Sequence, residues 1–227
     1  MTNKISKRIQ TIADLVMPGL IPADIGTDHA LLPILLVTDG KCSRAYACDI
    51  AEGPLKSAEK NIRAAGLQES IRVLQSDGFE NVPEDADGAI LSGMGFRTAI
   101  QILDRYPERI RNMKQILVEV NDDVPSLRRW ISEKHYTIQK EEAAADRNHY
   151  YMTVSLTAAY HKPYTEEEIL CGYACLENDV YIEDCHFQHQ KLHHIMEQRN
   201  RNDEKQILLE KQADLWQKRI ESIKKPL

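Results

Sequence analysis

The 227-residue chain has no apolar run near the ~20 residues a spanning helix requires; its longest, Ala30 to Val37, is interrupted by Pro33. No membrane-spanning segment is therefore expected. The opening MTNKISKRIQ has no apolar stretch ending in small residues, so no secretory leader is expected and the protein should be cytoplasmic. A C-x-x-C pair is also missing. Five cysteines (Cys42, Cys48, Cys171, Cys175, Cys185) are an odd number in a chain too long to depend on cross-links, which suits reduced thiols. Cys171 and Cys175 with His186, His189, His193 and His194 have permissible metal spacings, but Cys185 and His189 fall on a helical seam, and no metal is expected. Positive charge is not in excess: the net charge is −6, with −2 over residues 1–162 and −4 over 163–227. That excludes a globally basic nucleic-acid binder and leaves room for a local patch. G-x-S-x-G and H-E-x-x-H do not occur, nor does an internal repeat or low-complexity tract.

What is present is an alternation of short apolar runs and helical patterns. Ile5, Ile9, Ile12 and Val16 form one stripe of an amphipathic helix that Pro18 and Gly19 stop. Strands are expected at Ala23–Gly26, Ala45–Asp49, Ile71–Gln75, Gly88–Ser92 and Ile116–Val120. Helices follow near Leu31–Thr38, from Pro54 to Gly66, through Leu103, and around Leu127 to Ile131. Right-handed crossovers of this length imply a doubly wound α/β domain with a parallel sheet. Tyr136–Glu141 and Tyr150–Thr157, joined by a short polar connection, read as an antiparallel hairpin at the sheet edge. Pro22 fits a central strand only at its first position. From Lys162 onward the pattern is helical. Thr165 and Glu168 have capping-box spacing, and two long seams, Ile182 to Met196 and Leu209 to Ile223, predict a helical hairpin packed mostly on itself. The division expected is 1–160 and 161–227.

The chemistry gathers where strands end. Ala23-Asp24-Ile25-Gly26-Thr27-Asp28-His29-Ala30 leaves the first strand, Asp49 ends the second and Asp77-Gly78 closes the third, so all border one crevice of an open α/β sheet. G-x-G-x-x-G is not completed, because Asp28 and Leu31 stand where later glycines would let a pyrophosphate approach. This disfavours a nicotinamide or flavin oxidoreductase. S-adenosylmethionine carries no phosphate, and its ammonium, sulfonium and ribose diol suit a carboxylate-rich loop. Asp49, about 20 residues after that loop, would accept from the ribose hydroxyls, and Asp77 from the adenine amine, with Gly78 leaving room for the ring. Each aspartate alone is equally an ordinary cap or turn residue. The loop Ser92 to Phe96 lacks the N-P-P-Y pattern of exocyclic-amine methylation; a ring nitrogen with its own lone pair needs only a held base and an acceptor, for which Asp28, His29 and Asn121 are candidates.

The strings ISKRIQTIADLV, ADIGTDHALLP, EGPLKSAEKN, SGMG and LRRW, with the helical C-terminus, resemble the bacterial tRNA (adenine-22-N1)-methyltransferase family, TrmK-like, along essentially the whole chain. The resemblance implies a class I methyltransferase Rossmann-like sheet with an antiparallel edge hairpin, plus a small all-α helical hairpin domain for tRNA. It implies S-adenosylmethionine near Asp24, Gly26, Asp28, Asp49, Asp77, Gly78, Gly93 and Met94. Catalytic candidates are Asp28, His29 and Asn121. Where the family shows GMGG this chain has Gly93-Met94-Gly95-Phe96, and where it shows QPN it has Glu119-Val120-Asn121.

Phe96 is either a stacking platform for the target base or a core residue. Lys7, Arg8, Arg97, Arg199 and Arg201 are the cations assigned to RNA; Lys4, Arg105, Arg109, Arg111, Arg128, Arg129, Lys205 and Lys211 are further basic residues in the same regions. The expected partner is tRNA, with no membrane and no obligate protein partner, the chain being a monomer or weak homodimer. The alternatives are a divergent methyltransferase of another RNA or small molecule, and a non-catalytic RNA-binding protein with a decayed site.

Overall fold

The computed structural model describes residues 5–146, 149–173, 178–199 and 203–223. Lys4, Cys175 and Arg201 lie outside the described residues. In chain order the elements are α1 (Lys7–Leu15), β1 (Pro22–Ile25), α2 (Leu31–Thr38), β2 (Ala45–Asp49), α3 (Glu52–Ala64), β3 (Ile71–Gln75), β4 (Gly88–Met94), α4 (Phe96–Arg105), α5 (Pro107–Asn112), β5 (Gln115–Val120), α6 (Val124–Glu133), β6 (Tyr136–Asp146), β7 (His149–Tyr160), α7 (Glu166–Cys171), α8 (Asp179–Gln198) and α9 (Glu204–Ile223).

One seven-stranded sheet has the order β3-β2-β1-β4-β5-β7-β6. The pairs among β1 to β5 are parallel, whereas β7 runs antiparallel to both β5 and β6. Pro22 is the first residue of β1, opposite Gly88, so its missing donor falls where the ladder begins. Alternate residues of each strand serve opposite faces. Ile90 and Leu117 pack with Ile12, Val16, Leu32 and Leu36 of α1 and α2, while Ala89 and Leu91 join the cluster that contains Ala99, Leu103 and Leu127 of α4 and α6.

Two local differences from the sequence pattern have physical causes. β6 and β7 extend beyond the expected spans, through Ala143–Ala145 and past Thr157, because each residue is held by its partner in register, such as Ala144 by Tyr151. Cross-strand pairing there overrides weak strand propensity. The short α5 begins at Pro107, which supplies a ready-made first helical turn.

The C-terminal helices pack on one another, as their seams predict, and also share a core with the sheet. Ile169, Cys171, Tyr181, Cys185, Trp216 and Ile220 belong to the same buried cluster as Met152, Val154 and Ala143. The Thr165–Glu168 capping box forms as the spacing predicts. Tyr164 accepts the Ile138 N–H through its hydroxyl at 2.7 Å and donates its own N–H to Ser132 Oγ at 3.0 Å. At the centre of this junction Arg128 donates from Nε to Glu141 Oε1 at 2.6 Å and from Nη1 to the carbonyls of Ile169 and Leu170. Glu141 Oε2 accepts from the Tyr173 N–H at 2.6 Å. Burial pushes the Cys171 thiol up to about 12 and Cys185 up to about 11, so both are protonated core residues.

Removing one partner of a buried pair strands the other charge, at a cost of about 3 to 5 kcal/mol. Glu141→Ala should therefore lower unfolding free energy in urea by that amount, and Glu141→Gln by clearly less. A loss under 1 kcal/mol for Glu141→Ala would show that the junction does not depend on the pair.

Candidate functional site

The order of the sheet reverses between β1 and β4, and an open crevice of about 700 Å³ lies over the carboxyl ends of β1 to β4. Its walls include Gly26, Asp49, Asp77, Gly78, Gly93 and Met94, residues that the sequence reading assigned to one ligand. The turn after β1 is fixed by a forked acceptor: the Cys48 carbonyl takes the N–H groups of both Gly26 and Thr27, each at 2.8 Å. Gly26 has φ +83, and a Cβ there would meet Met94 Cε at 3.2 Å, so backbone forms that wall of the crevice. Asp49 is half-buried at the end of β2, and its Oδ1 accepts from the Ala51 N–H at 2.8 Å. Ile25, Ile50 and Ile102 supply apolar surface.

Asp24 lies buried beneath this crevice rather than in its wall. Burial pushes its carboxyl up to about 6; the neighbouring Thr27 hydroxyl pulls the other way, and the charge of Asp49 adds to the rise. Asp77 is already engaged. Arg105 of α4 grips it with two parallel bonds of 2.7 Å, which hold the carboxyl below its usual range. Arg105 lines the crevice, and the sequence pattern, which ranked it only among surface cations, carried no sign of this pairing.

The loops after β4 and β5 are tied into one unit. Asn121 donates from Nδ2 to the Gly93 carbonyl at 2.7 Å and from its backbone N–H to the Met94 carbonyl at 2.9 Å. Asp122, which the sequence reading passed over, accepts the Phe96 N–H at 2.6 Å and so satisfies a donor at the start of α4. The Phe96 ring is partly buried against the core. Arg8, assigned to RNA from sequence, donates from Nε to Glu119 Oε1 at 2.7 Å and lies 5.1 Å from the centre of the Tyr151 ring. Glu119 is only 1% exposed; burial pushes its carboxyl up and Arg8 pulls it down. Gly93 has φ +75, and a Cβ there would fall 2.7 Å from Arg8 Nη2. Thus α1 is fastened to the ends of β4 and β5.

The remaining candidates lie apart from the crevice wall. Asp28 Oδ2 and His29 Nε2 are 3.1 Å apart on the exposed β1–α2 loop. Lys7 and Arg97 are exposed, and Arg199 pairs with Asp203 at 3.0 Å at the end of α8. Arg109, Arg128 and Arg129 are committed to Glu84, Glu141 and Glu166.

A family model described as a methyltransferase domain matches residues 5–154. The tRNA (adenine(22)-N(1))-methyltransferase of Bacillus subtilis (strain 168) is 34% identical over 139 residues, 61% of this chain; the match spans 58% of the length of that relative. The solved structure of M. capricolum TrmK in complex with S-adenosyl-homocysteine is 29% identical, covers 97% of this chain and 99% of that one, and superposes with a TM-score of 0.83. The B. subtilis m1A22 tRNA methyltransferase TrmK, at 26% identity, covers 96% of this chain and 99% of its own with a TM-score of 0.81.

The elevated Asp24 carboxyl makes a pH prediction. Between about pH 4 and 6 the folded state retains a proton that the unfolded chain has released, so this group lowers stability as pH rises through that window and adds no further slope above it. Relative to Asp24→Asn, the wild type should lose about 3 kcal/mol from pH 4 to pH 7, at 1.36 kcal/mol per tenfold. Urea titrations of both proteins across that range check it; parallel curves would refute the assignment.

Proposed function

The chain belongs to the family of proteins with a methyltransferase domain, and from that premise we propose that it transfers the methyl group of S-adenosylmethionine to N1 of adenine 22 in tRNA. The observation that carries the reading is the crevice at the β1–β4 reversal, with a carboxylate at the end of β2 and backbone walls at Gly26 and Gly93. That donor set fits S-adenosylmethionine: a ribose diol needs the Asp49 carboxylate, the adenine ring needs apolar walls and the Gly78 gap, and the cationic groups need nearby negative charge. When bound, the cofactor supplies an electrophilic methyl group on a sulfonium sulfur.

This chain's residues do the rest. Asp49 accepts from the ribose hydroxyls while keeping its bond to the Ala51 N–H. Asp77 shares its carboxylate between Arg105 and the adenine amine, for which four lone-pair sites suffice. Asp24, beneath the crevice, gains a cationic neighbour that stabilises its carboxylate. Adenine N1 carries a lone pair in the base plane, so no proton has to leave before transfer and no general base is needed. The chain's task at that step is to hold the flipped base. Asn121 gives Nδ2 to Gly93, and its side-chain oxygen serves the exocyclic amine of the target. Asp28 and His29, on the neighbouring loop, contact substrate rather than cofactor.

In the same reading residues 1–160 are the catalytic domain and 161–227 a tRNA-binding helical domain, with Lys7, Arg97, Arg199 and Arg201 meeting phosphates and Phe96 bordering the base. The chain acts in the cytoplasm as a monomer or weak homodimer without an obligate protein partner. No helix among the described residues is long and apolar enough to cross a membrane.

Incubation with tRNA and labelled S-adenosylmethionine, followed by nucleoside mass spectrometry, tests the activity: label in 1-methyladenosine at position 22 is expected, and label only in another nucleoside would overturn the substrate. Asp49→Ala should weaken S-adenosylhomocysteine binding by on the order of 100-fold or more, since each bond to a charged acceptor is worth about 1.5 to 3 kcal/mol. NAD should not compete in the same calorimetric assay. Asn121→Ala should reduce kcat and also weaken cofactor binding, because Gly93 loses its anchor; an unchanged cofactor Kd would confine Asn121 to the substrate.

A further inference from the structure

A second cavity, of about 500 Å³, lies between the β5–α6 turn, the start of β7 and helices α7 to α9. Methyl transfer as described leaves it unused. It borders the cofactor crevice at Asn121, which lines this cavity and bonds the carbonyls of Gly93 and Met94 that line the other. Its apolar sides include Met152, Leu192 and Trp216; its polar groups come from the β5–α6 turn (Asn121, Asp122, Asp123), from Arg128 and Gln212, and from one face of α8. There Gln188 Nε2 donates to Asp184 Oδ1 at 2.9 Å. Burial pushes the Asp184 carboxyl up, against the pull of Gln188, Arg128 and Lys191. At the rim stand exposed Lys191 and Tyr150, the latter with its ring centre 5.7 Å from that of Phe187.

We infer that this cavity is a second nucleobase subsite that takes a guanine next to the target adenine in the RNA, a conclusion that rests on the tRNA-methylation reading above. Apolar sides with the Asp184–Gln188 pair among the hydrogen-bonding groups suit an unstacked base read along its Watson–Crick edge. The choice of base follows from the acceptor. Guanine presents N1–H and N2–H side by side, so a single carboxylate takes two bonds from it; adenine, cytosine and uracil each offer that edge one donor position. Lys191 at the rim is placed for the adjoining phosphate. Because Asn121, which the reading above sets against the target base, also lines this second cavity, an RNA whose target base lies at Asn121 has a neighbouring nucleotide beside it.

The test uses the full chain saturated with S-adenosylhomocysteine and fluorescent tRNA-derived hairpins. Each nucleotide flanking the target adenine is set in turn to guanosine, inosine or adenosine, inosine retaining N1–H and lacking the N2 amine. At one flank guanosine should bind about tenfold tighter than inosine or adenosine. Asp184→Asn should erase the guanosine–inosine difference with the S-adenosylhomocysteine Kd unchanged and the circular-dichroism spectrum that of the folded protein, and Lys191→Ala should reduce the log–log salt slope by about 1. Equal affinity for all three bases at both flanks, or discrimination that survives in Asp184→Asn, would overturn the subsite. Methyl transfer measured in parallel separates the two readings: transfer to adenine N1 without a flank preference removes the subsite alone, and a flank preference without transfer removes the substrate assignment alone.

Discussion

Two parallel neighbours whose chain continues to opposite sides of a sheet cannot have their carboxyl ends covered by a common connection, and the site follows from that constraint. β1 leads toward β2 on one side and β4 leads toward β5 on the other. The gap between them is therefore open by topology, before any side chain is chosen. The chain uses it by setting Gly26, Asp49, Asp77 and Gly93 around it among the apolar side chains of Ile25, Ile50 and Met94, with the core in the layers below: Ile90 packs against α1 and α2, while Leu91 faces the α4–α6 side. The rigidity of the parallel core lets Asp49, Asp77 and the Gly26 and Gly93 backbones stand at fixed positions around one ligand.

The sheet alone leaves the loops after β4 and β5 unsupported, and polar contacts do that work. Asn121 and Asp122 tie the two loops together, while Arg8 and Glu119 bring in α1. Each of these contacts is oriented by charge or by an amide at the end of a strand. A functional loop held by such bonds is precise without being packed, and a ligand can still displace what lies between the bonds.

Legibility in the sequence followed separation along the chain. The position of Gly26, Asp49, Asp77 and Gly78 around one crevice was readable because each sits at or just past a strand end, and strands announce themselves by local apolar runs; Asp24, inside β1, lies beneath the crevice instead. The sheet edge hairpin and the capping box at Thr165 were readable for the same reason. Arg8 and Glu119 are 111 positions apart, and no period links them. Arg105 and Asp77 meet only because α4 crosses back over the end of β3. The apolar seams of α8 and α9 were correctly placed, but a seam does not say what covers it. Cys185 and Trp216 face the sheet's core as much as each other, a fact set by the buried Arg128–Glu141 junction and not by helical spacing.

The fastening of α1 across Gly93 has a practical side. Since Arg8 lies in the first turn of that helix, any polypeptide joined ahead of it emerges beside the opening through which substrate must enter. A purification tag or fusion partner on that side stands close to the space that the nucleic acid would need. Assays on recombinant material accordingly depend on whether a handle ahead of that helix has been removed.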